Sequence, residues 1–202
     1  MVTRDFAKKF DEVTDEEWNE IYAIRKKHGD LYSNSIYDGA SLKAKTIISR
    51  NQEAAVKAFL ENCGDDGVVV RYMDDERDIV YPRSPKKPDP DLECIESSGS
   101  RTTFEVKSYH YTTAPDLRLC FGVFLDDPKI KTGEDVLTAI WKYDFHDADA
   151  VLFVTPDCTK CCMVTRNSLS LDVRPENQPK IGANGKSKVI FYAKRGSWMD
   201  LN

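Results

Sequence analysis

Apolar and polar residues follow two different periods along this chain of 202 residues. In three segments the apolar residues recur every three to four positions, which predicts helices. The first helix begins at a capping box at 14–17 and ends at Gly29. The second runs from about 42 to 63, with a break near Ser49 as the alternative, and the third begins after Thr132. Residues 30–41 are rich in turn-forming residues and predict a loop.

Shorter runs of apolar and β-branched residues predict strands. The run from Ala150 to Val154 is apolar at every position, which is typical of a strand buried on both faces. Because a strand at 117–125 and the third helix precede it, the pattern predicts a crossover connection. The other runs lie at 68–72, 92–95, 102–106, 163–165 and 189–192, the last two as edge strands. We therefore expect an α/β fold with a central mixed sheet flanked by helices.

Two of these runs, 92–95 and 102–106, are separated by the turn sequence Ser98-Gly99-Ser100 and predict an antiparallel hairpin. Side chains alternate between the faces of a strand, so Glu105 and Lys107 share one face while Phe104 and Val106 point into a core. A hairpin folded about Ser98-Gly99 also places Asp91 nearly opposite Glu105. The sequence therefore predicts two carboxylates and a lysine at one place.

This combination of side chains is suited to metal-dependent hydrolysis of phosphodiesters. Mg²⁺ is typically held by one or two carboxylates, together with water and substrate phosphate. The ion acidifies water and stabilises charge on the phosphate. A nearby lysine can orient or deprotonate that water and offset phosphate charge.

Pro90-Asp91 followed by Glu105-Val106-Lys107 resembles the motif of the PD-(D/E)xK nuclease superfamily, over roughly residues 42–154. The resemblance implies a restriction-endonuclease-like core, with Mg²⁺ as cofactor and Mn²⁺ as a substitute. It implies Asp91, Glu105 and Lys107 as catalytic residues. The implied metal ligands are Asp91, Glu105, the Val106 carbonyl and Glu53. Asp89 is the alternative first acid.

Glu53 has two interpretations. Family members often carry a further acid on a helix before the hairpin, and Glu53 lies at the edge of the apolar stripe of the second helix. It is equally interpreted as an ordinary first-turn glutamate, favoured by the helix dipole and paired with Lys57 one turn later.

Composition limits the class of protein without identifying it. The net charge of −5 argues mildly against a nucleic-acid partner, but a basic groove can lie on an acidic protein. The sequence has no apolar run long enough for a membrane span and no apolar signal region at its start, so we expect a cytoplasmic protein with six reduced cysteines. We expect an N-terminal helical appendage at 1–41 and one globular nuclease-like domain at 42–202.

Basic and aromatic residues flank the hairpin and are candidates for contacts to DNA phosphates. They are Arg83, Lys86, Lys87, Arg101, Tyr109 and Arg118. A solubilising loop and an exposed strand end are the ordinary alternatives. The cluster Cys158, Cys161 and Cys162 could indicate zinc, but a structural site needs four ligands and a tight turn explains the spacing.

We therefore expect a Mg²⁺-dependent DNA endonuclease, with a dimeric type II restriction endonuclease as first choice. A Holliday-junction resolvase, or a phage or repair nuclease of the same fold, is close behind. The alternative of another class is an inactive nuclease-like module that binds nucleic acid.

Overall fold

The structure, a computed structural model, describes residues 8–29, 31, 35–64, 66–73, 79–80, 89–109, 117–123, 133–171, 187–193 and 198–201. Its helices are α1 (Asp15–His28), α2 (Gly39–Cys63) and α3 (Gly133–Asp144). Its strands are β1 (Lys8–Lys9), β2 (Val69–Tyr72), β3 (Ile79–Val80), β4 (Leu92–Ile95), β5 (Arg101–Ser108), β6 (Leu117–Val123), β7 (Ala150–Val154), β8 (Lys160–Thr165), β9 (Leu169–Leu171), β10 (Ser187–Ala193) and β11 (Met199–Asp200).

The central sheet has six strands in the order β11-β8-β7-β5-β4-β2. The β5–β7 pair is parallel and the other four pairs are antiparallel, so the predicted mixed sheet is confirmed. Helix α2 packs through Val56 against Leu92 and Val106 on one face. Helix α3 packs through Ile140 against Val151 on the other face. The buried strand β7 therefore has apolar cover on both sides, as its continuous apolar sequence predicts.

Strand partners differ from the sequence prediction in three places. Strands β6 and β10 pair along seven residues and form a separate sheet in the order β6-β10-β9, so β10 is not an edge strand of the central sheet. The parallel neighbour of β7 is β5 rather than β6, and α3 is part of the connection between them. Strand β8 is not an edge strand either, because the short strand β11 pairs with it. Apolar periodicity identifies strands but carries no information on their partners.

Helix α2 begins earlier than predicted and is unbroken at Ser49. Its N-cap is Asp38, whose Oδ1 accepts a hydrogen bond from the backbone N–H of Ser41 at 2.7 Å. The first turn packs on α1, since Leu42 lies in one apolar cluster with Trp18 and Ile21. The predicted boundary between residues 41 and 42 therefore falls within a helix that contacts α1.

Gln52 fixes α2 against the end of the sheet where β5 and β7 finish. Its side chain is only 2% exposed. Its amide Nε2 lies 3.1 Å from Ser108 Oγ and 3.2 Å from the carbonyl oxygens of both Val154 and Thr155. Because Glu53 is the next residue, this contact also determines where Glu53 lies.

In the part of the chain that the structure describes, no helix has the length and apolar content to cross a membrane.

We predict that Gln52→Leu lowers the free energy of unfolding by about 1–3 kcal/mol, because it removes the donor shared by Ser108 and two buried carbonyl groups. The measurement is urea unfolding followed by circular dichroism. The control is Asn51→Leu at the adjacent, exposed position, which should change stability by less than about 0.5 kcal/mol. Equal stability of the two variants would show that the Gln52 contacts contribute little.

Candidate active site

The hairpin formed by β4 and β5 has the predicted register. Leu92 is paired with Phe104, so the next position along places Asp91 opposite Glu105. The turn contains Gly99 at φ 84°, a left-handed conformation that favours glycine. The sequence prediction that Asp91 and Glu105 face one another is confirmed by this register.

Asp91 is held by the backbone of the neighbouring strand. Its Oδ2 accepts a hydrogen bond from the N–H of Val106 at 2.7 Å. The Val106 side chain is buried in the core on the α2 side, so this N–H has a fixed position. Asp89 is exposed and lies two residues further from the strand. Asp91, rather than Asp89, is therefore the acid that adjoins Glu105.

Glu105 is buried, with 1% of its surface exposed, and both of its carboxylate oxygens have a basic partner. The ammonium group of Lys107 contacts Oε1. Nδ1 of His146 lies 3.0 Å from Oε2, within hydrogen-bond distance. These two contacts fix the orientation of the carboxylate and compensate for part of the cost of burying its charge.

The burial of the site and its neighbouring charges change the pKa of Asp91. Burial is the largest cause that raises its pKa, from the usual 3.8 to about 8, and the neighbouring carboxylates of Glu105 and then Glu53 act in the same direction. The Val106 N–H and the Lys107 ammonium oppose the rise. In the absence of a cation the carboxyl group of Asp91 therefore holds its proton near neutral pH.

Glu53 lies on α2, partly buried, and its carboxylate is near enough to raise the pKa of Asp91. Its Oε1 accepts a hydrogen bond from Ser49 Oγ at 3.2 Å. Lys57, the partner expected for an ordinary surface glutamate, contacts Glu61 instead. The geometry thus favours the interpretation in which Glu53 belongs to the site.

The donor set suits a small divalent cation. Two carboxylates whose charges repel in a partly buried site lose that repulsion when a cation lies between them. Mg²⁺ needs only one or two protein carboxylates, since water completes its coordination. Among the described residues no group of three or more His, Cys, Asp or Glu side chains has a metal-binding arrangement. The fit therefore rests on Asp91 and Glu105, with Glu53 nearby.

His146 is the residue of the site that sequence reasoning missed. It lies between α3 and β7 with a left-handed backbone, φ 52°, which is uncommon for a residue other than glycine. The available signal was its place just before the buried strand, since β7 runs beside the strand that carries Glu105.

The structure corrects the prediction that Tyr109 contacts nucleic acid. Its backbone N–H continues the strand ladder by donating to the Val154 carbonyl at 2.8 Å. Its ring is buried, 6.1 Å from the ring of Phe153 and 5.9 Å from that of Trp198, measured between centroids. The ring therefore belongs to the apolar core and is not available to a duplex.

Arg101 is exposed at the start of β5, near the site. Arg118 lies in β6, but its side chain is outside the described residues, as are Arg83, Lys86 and Lys87. The contacts to nucleic acid expected of Arg118 and of the other three residues stay predictions.

The cysteine cluster does not have the geometry of a zinc site. Cys158 lies in the turn between β7 and β8, with φ 56°. Cys161 and Cys162 are adjacent in β8 and are buried in different apolar clusters on opposite faces of the sheet. Burial, the largest cause, raises the pKa of the Cys161 thiol to about 12, so it stays protonated. A tight turn accounts for the spacing.

Comparison with family models, with curated proteins and with solved structures finds no match to this chain. The assignment of the site therefore depends on its geometry and on the motif.

In the absence of metal, we expect the wild type to lose stability as the pH rises. We predict that Asp91→Asn abolishes this loss. Because the folded pKa is raised, the folded state binds more protons than the unfolded state between about pH 4 and 8, and stability falls as pH rises through that window. Asparagine carries no charge and can still accept from Val106. The measurement is urea unfolding in EDTA at pH 5 and pH 8.

In that experiment Asp91→Asn should gain stability relative to the wild type as pH rises, while Asp89→Asn should follow the wild type. An identical pH dependence in all three proteins would contradict the assigned electrostatics.

Proposed function

We propose that this protein is a Mg²⁺-dependent DNA endonuclease that hydrolyses phosphodiester bonds. The observation that carries the proposal is that Asp91, Glu105 and Lys107 lie together on one face of a hairpin. Burial of Asp91 and repulsion from Glu105 raise the pKa of Asp91. Such perturbed carboxyl groups are typical of functional sites.

Asp91 and Glu105 hold the ion in this proposal, with the Val106 carbonyl and Glu53 as further ligands and with Mn²⁺ as a substitute. When bound, Mg²⁺ lowers the pKa of water and stabilises negative charge on the phosphate. The Val106 N–H fixes Asp91, and His146 fixes Glu105, so both carboxylates are oriented before the substrate arrives. Rigid orientation of this kind reduces the reorganisation needed at the moment of reaction.

Lys107 is the catalytic cation. Its side chain is about one third exposed while its ammonium group contacts Glu105, so it lies between the buried carboxylate and the solvent. From there it orients the attacking water and offsets the charge that develops on the phosphate. His146 has no assigned contact to substrate and acts through Glu105 as a positioning residue.

The proposed biological setting is a cytoplasmic homodimer that cuts both strands of DNA, as a type II restriction endonuclease does. One such site cuts one strand, so a double-strand break requires two sites. A Holliday-junction resolvase or a repair nuclease would use the same site on a different DNA structure, and the choice of substrate in the assay separates these classes.

We predict that the wild type converts supercoiled plasmid to nicked and linear forms with Mg²⁺ and does not do so with EDTA. Asp91→Ala and Lys107→Ala should each lower the cleavage rate at least about 100-fold, because each removes a group needed in the transition state. Asp89→Ala, two residues before Asp91 and exposed, is the matched control and should cleave at the wild-type rate.

Circular dichroism spectra and unfolding curves of all variants exclude loss of folding as the cause. Parallel reactions with linear duplex, four-way junction and single-stranded DNA define the substrate class. Normal cleavage by both Asp91→Ala and Lys107→Ala would contradict the proposed site, and no cleavage of any substrate by the wild type would contradict the proposed function.

A further inference from the structure

A second charged group lies on the same sheet, outside the carboxylate site. Glu93 is 5% exposed, and each of its carboxylate oxygens faces one arginine. Nε and Nη2 of Arg71 lie 2.6 and 2.5 Å from Oε2, while Nη1 of Arg101 lies 3.4 Å from Oε1. We call Arg71 and Arg101 the arginine pair. Together the three side chains carry a net charge of +1.

The register places the arginine pair on the same face as the carboxylate site. Arg71 is paired with Glu93 across β2 and β4, and Arg101 is four residues before Glu105 on β5. Because side chains alternate, Glu93 and Asp91 share a face, separated by about 7 Å along the strand. That separation is comparable to the spacing of successive phosphates along one DNA strand.

Solvent reaches this part of the sheet. The side chains of Arg71 and Arg101 are 56% and 61% exposed, although Glu93 beneath them is buried. Val69, on the same face of β2, is also exposed. Helix α2 packs on the opposite face, and the apolar cluster of α3 involves β7 and β8. The arginine pair is thus open to a large ligand on the face of the sheet that carries Asp91 and Glu105.

We propose that the arginine pair binds the phosphodiester backbone of DNA beside the phosphate that is cleaved, with Glu93 holding both guanidinium groups in place. This inference rests on the proposed function and adds a specific DNA-contacting surface to it. Guanidinium groups bind phosphate through paired hydrogen bonds, and Glu93 neutralises only one of the two positive charges. The chain is acidic overall, so a local surplus of positive charge next to the carboxylates supplies attraction where DNA must lie.

A purely structural role is the competing explanation, since two arginines also compensate a buried glutamate. The salt dependence of DNA binding distinguishes the two roles. Each phosphate contact that is lost reduces the slope of log affinity against log salt concentration by about 1. Loss of a purely structural ion pair lowers stability but leaves that slope unchanged.

The experiment measures fluorescence anisotropy of a labelled duplex over a series of NaCl concentrations, in an Asp91→Asn background so that the DNA is not cut. Arg71→Gln and Arg101→Gln should each weaken binding about tenfold and reduce the salt slope by about 1. The matched control is Lys160→Gln, which removes an ion-paired surface cation on β8, three strands away from β4, and should change neither quantity.

Two further variants keep the result interpretable if a single arginine substitution unfolds the protein. Glu93→Gln removes the buried charge but keeps both arginines, so the salt slope should not fall. The double variant Arg71→Gln/Glu93→Gln removes the unpaired buried charge, and it should fold and still show the reduced slope. Unchanged slopes in every folded arginine variant would overturn the inference while leaving the proposed function in place. A parent protein that binds none of linear duplex, four-way junction and single-stranded DNA would overturn both.

Discussion

The burial of the Glu105 carboxylate within the sheet is the constraint on which the rest of the site depends. A charge in that position needs partners, and Lys107 and His146 supply them from the same strand and from the loop before β7. Asp91 is then held opposite by the Val106 N–H, and its proton affinity rises. A core built for stability alone would place an apolar residue at position 105, and the buried, oriented carboxylate beside a second acid is the reason for proposing a cation site there.

The strands on either side of β5, together with α2, hold the residues of this site in a fixed geometry. Strand β5 lies between β4, which brings Asp91, and β7, whose preceding loop brings His146. Apolar side chains of β5 face α2, and Gln52 bonds that helix to the ends of β5 and β7. Glu53, the next residue, therefore approaches the site as a consequence of core packing. Elements distant in sequence thus meet at one strand, and sites on such rigid elements hold their geometry well.

The sequence predicted those parts of the site that depend on local rules. Period-two alternation and the Gly99 turn determine the hairpin, and with it the pairing of Asp91 and Glu105. The start of α2 was missed because its cap, Asp38, and the first helical residue, Gly39, follow a run of turn-forming residues that predicts a loop. The contact of His146 with Glu105 spans 41 positions, and that of Arg71 with Glu93 spans 22. Such contacts depend on which strands pair, and no local pattern encodes that choice.

The central claim is that Asp91 and Glu105 bind one divalent cation. The most direct measurement is anomalous X-ray scattering from crystals grown with Mn²⁺, collected for the wild type and for Asp91→Asn. The account predicts one strong anomalous peak in the wild type within coordination distance of both carboxylates, with a water or phosphate oxygen completing the site, and its loss in Asp91→Asn. A wild-type map with no peak between the two carboxylates at saturating Mn²⁺, or with the same peak in Asp91→Asn, would contradict it.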